Sequence, residues 1–124
     1  MRDSLLANKP YDVWVRELLA ATGTVLENPA VAWYKRVKEP KEQIEDIAQL
    51  FLGVRMQCAQ CHHHPFEKWS QDDYYGLVAF FSQVGRKPTG IRGEDQIFHR
   101  RGVAEAKNVR SGVMIRPSAL GEPV

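Results

Sequence analysis

The feature that most constrains this chain is Cys58-Ala59-Gln60-Cys61-His62, followed at once by His63, His64 and Pro65. Two cysteines two residues apart with a histidine beside the second is the spacing that attaches a c-type haem. Each thiol adds across one vinyl group of the porphyrin, and the neighbouring imidazole becomes the proximal ligand to iron. The chain has 2 cysteines, and both lie in this unit. They make no disulfide framework.

A unit of this kind needs helices to carry it. The chain of 124 residues is long enough for one domain with a single core. Apolar residues recur at helical spacing in four places. Residues 9–21 present Tyr11, Trp14, Val15, Leu18 and Leu19 as one face, which reads as core, with Pro10 in the opening turn and Gly23 as terminator. Asn28-Pro29 opens a short helix over 29–37, in which Trp33 and Val37 face inward. A third helix starts near Pro40-Lys41. Its face Ile44, Ile47, Ala48, Phe51, Val54 and Cys58 runs into the cysteines, so Cys58 is expected at the end of a buried stripe. Ser70, with Asp73 three residues on, caps the fourth, whose inner face is Tyr74, Leu77, Val78, Phe81 and Val84, with Gly85 as its end. Pro65 turns the chain between the histidines and that cap.

Beyond residue 85, glycines punctuate a basic, irregular stretch. Short strands at 96–100 and 112–116 can pair there as a hairpin. The expected fold is therefore mainly α: about four helices in one small domain, with an irregular C-terminal tail holding at most a short β-hairpin. Residues 1–85 would form the helical, cytochrome c-like domain, and 86–124 a loop-rich extension packed on it.

Net charge is +2, so no polybasic face is set up for nucleic acid. No run of 18 apolar residues is present to span a membrane. The first residues lack the apolar core of a signal peptide. Covalent haem attachment in bacteria takes place outside the cytoplasmic membrane. The haem reading thus carries the expectation that this chain is a segment of a longer exported protein, periplasmic or otherwise outside that membrane.

The residues also carry a resemblance. Asn8 to Asp12, Trp14 to Leu19, Phe51-Leu52-Gly53, the block Cys58 to His62, His64-Pro65-Phe66, Trp69 to Gly76 and Ala79-Phe80-Phe81 are similar to the planctomycete-type cytochrome c domain family. The likeness covers about residues 4–85, and more loosely Pro117 to Gly121. It implies a haem-carrying segment of a long exported protein, in a family whose biochemical role is largely uncharacterised. At His63 the sequence departs from the Asp or Asn expected of relatives, and a third consecutive histidine widens the choice of ligands.

Cys58, Cys61 and His62 are the candidate haem-binding residues, with His62 on the iron. His64 reads as a hydrogen-bonding residue near the pocket or to a propionate, and His63 as solvated. Met56 is too close to Cys58 to cross to the far face and reads as packing. Met114 is the first candidate for a sixth ligand and His99 the second; the other outcomes are an open site or a ligand from another domain. The chief rival is a structural zinc module on Cys58, Cys61, His64 and His99. A thiol–disulfide site lacks the strand and βαβ context it would need. Acid–base catalysis by His62, His64 and Asp72 or Asp73 has no distinguishing spacing. The reading is an electron-transfer or binding module, rather than a catalytic domain, working with redox partner domains or proteins.

Overall fold

The computed structural model describes residues 1–66 and 68–122, so Glu67 and the last two residues of the expected extension lie outside the described residues. Among the described residues five α-helices run in chain order: α1 (Arg2–Leu6), α2 (Tyr11–Leu19), α3 (Ala32–Arg36), α4 (Pro40–Ile47) and α5 (Gln71–Phe81). Four strands follow among the same residues: β1 (Val84–Pro88), β2 (Asp95–His99), β3 (Ala106–Lys107) and β4 (Met114–Ile115). They form two small antiparallel sheets, β1 with β2 and β3 with β4.

That β content overturns the expectation of a mainly α domain with an irregular tail. Both expected strands exist, near the expected places, but they do not pair with each other. β2 takes the segment after α5 as its partner, and β4 takes Ala106–Lys107, in the register Ala106 to Ile115 and Lys107 to Met114. Local pairing needs only a short loop closure, and each strand found a nearer partner. β1 is where the fourth helix was expected to continue. The helix stops at Phe81, and Val84 and Gly85 are already extended.

The chain folds as two compact units. The first comprises Met1–Arg36 and Gly85–His99. Here α2 is flanked by a 3₁₀ turn, Pro29–Val31, where Asn28 caps by accepting the Ala30 N–H. Inside it are Ala21, Val31, Tyr34 and Ile97. The Tyr34 hydroxyl donates to Leu19 O at 2.5 Å. Gly23 and Ile97 exchange backbone hydrogen bonds, which ties the loop after α2 to β2. The expected apolar face of α2 is only half-buried: no residue of the helix is fully buried. Tyr34 takes the inward place expected for Trp33.

The second unit comprises Val37–Val84 and the residues from Arg100 on. Its core is Ile44, Ala48, Met56, Ala59, Tyr74, Tyr75, Val78 and Ile115. α4 supplies the first of these, α5 the tyrosines and Val78, and β4 supplies Ile115. Trp69, Leu77 and Phe81 pack at its margin. No described helix is long and apolar enough to cross a membrane.

Candidate functional site

α4 does not run on to the cysteines. It passes into a π turn, Ala48–Leu52, which ends at Gly53. Gly53 has φ 68°, a left-handed conformation that costs glycine little and stops a helix. Arg55 is extended, and the chain then makes a 3₁₀ turn over Met56–Gln60. In 3₁₀ geometry residues three apart eclipse one another. Met56 and Ala59 are such a pair and both are fully buried. Cys58 and Cys61 are spaced the same way and both are exposed, with free thiols. The turn thus anchors Met56 and Ala59 in the core and leaves both cysteines exposed. Cys58 is not the end of a buried stripe; the left-handed break at Gly53 resets the phase, and Met56 takes the inward position, a packing role as expected for it.

Two groups from α5 hold the peptide between the cysteines. Gln71, nearly buried, donates its amide to Gln60 O at 3.0 Å, and the Tyr75 hydroxyl donates to the same oxygen at 3.5 Å. Tyr75 meets Tyr74 edge-on at 5.2 Å between ring centres. The buried Tyr74 hydroxyl donates to Glu45 Oε1 at 2.9 Å. Burial, the carboxylate of Glu45, and the nearby Tyr75 and Cys61 all push the Tyr74 phenol far above its ordinary range. Sequence reasoning missed Gln71, Tyr75 and Glu45 as supports of the turn. The one available signal was a polar Gln at the start of a capped helix, and that signal is weak.

The histidines then separate by role. His62 is exposed, and its Nδ1 lies 2.6 Å from His63 O. A carbonyl can only accept, so Nδ1 carries the hydrogen and the lone pair is left on Nε2. In His64 both ring nitrogens are engaged by backbone: Nε2 donates to Arg55 O at 2.8 Å, and Nδ1 accepts the Phe66 N–H at 3.2 Å. His63 is exposed and lines an open pocket of about 440 Å³ with Ser70, Gln71, Asp72, Asn108, Arg110 and Ser111. A second groove, about 600 Å³, runs past Gln57 and Gln60 toward Glu42, Glu45 and Lys107.

Of the remaining candidates, Met114 lies on β4 in the same unit as the cysteines. Its neighbour Ile115 points into the core, so by strand alternation Met114 stands on the other face, where it is 48 % exposed. His99 is exposed at the end of β2, in the first unit. Among the described residues no three His, Cys, Asp or Glu side chains are gathered where they could hold a metal ion.

A c-type haem requires two reduced thiols facing one way and an imidazole with its outer nitrogen unprotonated. Cys58 and Cys61 are free and exposed, and His62 keeps Nε2 unprotonated, so the chemistry of the donor set fits the group.

Residues 1–86 match the family model described as PSCyt2, protein of unknown function (DUF1549). No curated protein and no solved structure matches the chain.

Proposed function

The chain belongs to the planctomycete cytochrome c-type domain family, and from that premise we propose that its second unit is a covalent haem carrier for electron transfer within a longer exported protein. Cys58 and Cys61 would hold the group by thioether bonds, and His62 Nε2 would ligate its iron. When bound, the haem supplies one-electron exchange at that iron. The observation that carries the reading is the turn itself. It leaves Cys58 and Cys61 free and exposed three residues apart, while Met56 and Ala59 are buried in the core.

The chain's own residues then do the positioning. Gln71 and Tyr75 restrain the Gln60 carbonyl. The His63 carbonyl, by accepting from Nδ1, raises the basicity of the outer nitrogen of His62, as second-sphere acceptors do for ligating histidines. Leu52 and Phe66, the latter 92 % exposed, flank the turn in sequence and offer apolar surface that a macrocycle would cover. Met114, in the same unit as the cysteines, is proposed as the sixth ligand. Redox partners would be other domains or proteins outside the cytoplasmic membrane.

The test is expression in cells with a c-type maturation system, followed by a pyridine haemochrome spectrum and a metal assay. A thioether-linked haem is expected, lost in Cys58→Ala/Cys61→Ala. One zinc per chain with no haem band overturns the reading.

A further inference from the structure

His64 is a node where four parts of the chain meet. Its N–H donates to Trp69 O at 3.0 Å, and Trp69 packs on the core of the second unit. Its ring ties back nine residues to Arg55 O, just before the 3₁₀ turn, and forward to the Phe66 N–H. The peptide that joins His63 to His64 is trans. In a trans peptide the C=O and N–H point opposite ways in one plane. With its N–H on Trp69, the same plane aims the His63 carbonyl away from Trp69, and that carbonyl lies against His62 Nδ1.

This arrangement deepens the haem reading, and one part of it stands without haem. We infer that His64 is a positioning residue: its ring closes the loop from Arg55 to Phe66 and fixes the His63–His64 peptide, which in turn presets His62 with Nδ1 protonated and Nε2 open. The loop is otherwise lightly held. The His62 N–H to Cys58 O bond is long, at 3.4 Å, and residues 61–63 are exposed. An exposed histidine in such a segment would be free to exchange tautomers in water. A carbonyl held in place removes that freedom.

The experiment is ¹⁵N NMR of the histidine rings in the haem-free chain, at a pH where histidine is neutral, about 8.5. Wild type is expected to show His62 mainly as the Nδ1–H tautomer. In His64→Leu, which keeps neither ring bond, the Nδ1–H share should fall at least two-fold and the Phe66 amide should exchange faster with solvent. Two milder variants separate positioning from general damage. His64→Gln can still donate toward Arg55 O, and His64→Asn can still accept the Phe66 N–H, so each should fall between wild type and His64→Leu. If His64→Leu does not fold, these two decide. A His62 tautomer ratio unchanged in every folded variant overturns the inference, as does a wild type that is mainly Nε2–H.

A second arm links the staple to loading. In maturation-competent cells the attached haem per chain should drop several-fold in His64→Leu and recover in part in His64→Gln. A wild-type chain that takes no haem sinks the electron-transfer reading alone, and the tautomer comparison still decides the role of His64.

Discussion

Gly76 sits on the buried side of α5, where a Cβ would collide with Ser118 Oγ and stand 3.4 Å from Ser118 Cβ. Ser118 is itself nearly buried, and its hydroxyl has no hydrogen-bond partner among the described residues. Alanine in a helix is favoured over glycine by about 1 kcal/mol, whereas overpacking costs about 1–3 kcal/mol. Gly76→Ala is therefore expected to lower stability by about 1 kcal/mol net. Ser118→Ala, which removes an unpaired hydroxyl, should be neutral or slightly stabilising. In the double variant the clash is gone and the helix gain remains. Urea denaturation of the four chains checks this, and a Gly76→Ala effect equal in both backgrounds would refute it. Tyr34 gives a pH-dependent case. Burial raises its phenol from 10.0 to about 12. The neutral form is the one the fold prefers, so the unfolded chain loses its proton first as pH rises. The contribution is whole below about pH 10 and is lost between about pH 10 and 12, up to roughly 2–3 kcal/mol. Tyr74 acts in the same direction. Denaturation at about pH 8 and about pH 11 should show a smaller loss for Tyr34→Phe than for wild type. At the lower pH that variant should start about 1–2 kcal/mol weaker, because Leu19 O loses its donor. The inward role of Tyr34 was not legible in the sequence. Trp33 and Tyr34 are adjacent aromatics, and which one turns inward depends on the 3₁₀ turn before α3, a half-step in phase that apolar spacing does not encode. The cysteine–histidine block was legible because its meaning lies in covalent spacing. The engagement of His64 was not, since its ring bonds to Arg55 O and the Phe66 N–H are to backbone groups.

At the scale of elements, α5 is the best-specified part of the chain. Its capping box is complete: Ser70 Oγ accepts the Asp73 N–H at 3.1 Å, and Asp73 Oδ2 accepts the Ser70 N–H at 2.7 Å. The shorter Asp in place of the usual Glu still closes the box. Ser70→Ala should cost about 1 kcal/mol, and Asp73→Ala a similar amount. Thermal melts settle it, and an unchanged midpoint for both would mean the cap is satisfied by water. The start of this helix was readable in the sequence because cap chemistry is local. Its end was not: Gly85 looked like a terminator, yet Ser82 already closes the last turn by donating to Ala79 O. The error at Gly53 has the same origin. The apolar stripe of α4 continues past it, but a single left-handed residue outweighs the periodicity on either side. Asn108 shows how two elements are fastened together. It is buried, donates to Asp72 Oδ1 at 2.7 Å, and accepts the N–H groups of Arg110 and Ser111. One side chain thus forms the β3–β4 turn and fixes it to the start of α5. Asn108→Ala strands the carboxylate and two amides, for an expected loss of about 2–4 kcal/mol. Asn108→Asp keeps the turn but sets two carboxylates together, and should also destabilise, more so at neutral than at acid pH. Equal stability of Asn108→Ala and wild type would rule out the fastening role.

For the molecule as a whole, the boundary of the family match and the boundary of the core do not coincide. The match ends at residue 86. The second unit, which carries the cysteines, draws on residues from Arg100 on for Ile115 in its core and for Ala106 and Leu120 at its margin. The first unit likewise closes with β2, whose Ile97 is bonded to Gly23. A segment of residues 1–86 would therefore lose an inward Ile, worth about 1.5–3 kcal/mol when fully buried, along with the Asn108–Asp72 bond and the partner of β1. Domains of this size have about 5–15 kcal/mol of stability in all. The expected outcome is that 1–86 made alone retains helical circular dichroism from α2, α4 and α5 but binds a hydrophobic dye and unfolds without a cooperative transition, while the 124-residue chain unfolds cooperatively. The sharper comparison is Ile115→Ala in the full chain, which leaves the backbone intact. It should be destabilised by about 2–4 kcal/mol, because Ile115 is buried in the same core cluster as Met56 and Ala59 and β4 packs against α5. A cooperative, dye-free 1–86 segment would show that the C-terminal residues cover a core already complete without them, and the turn's anchorage would then rest on α4 and α5 alone.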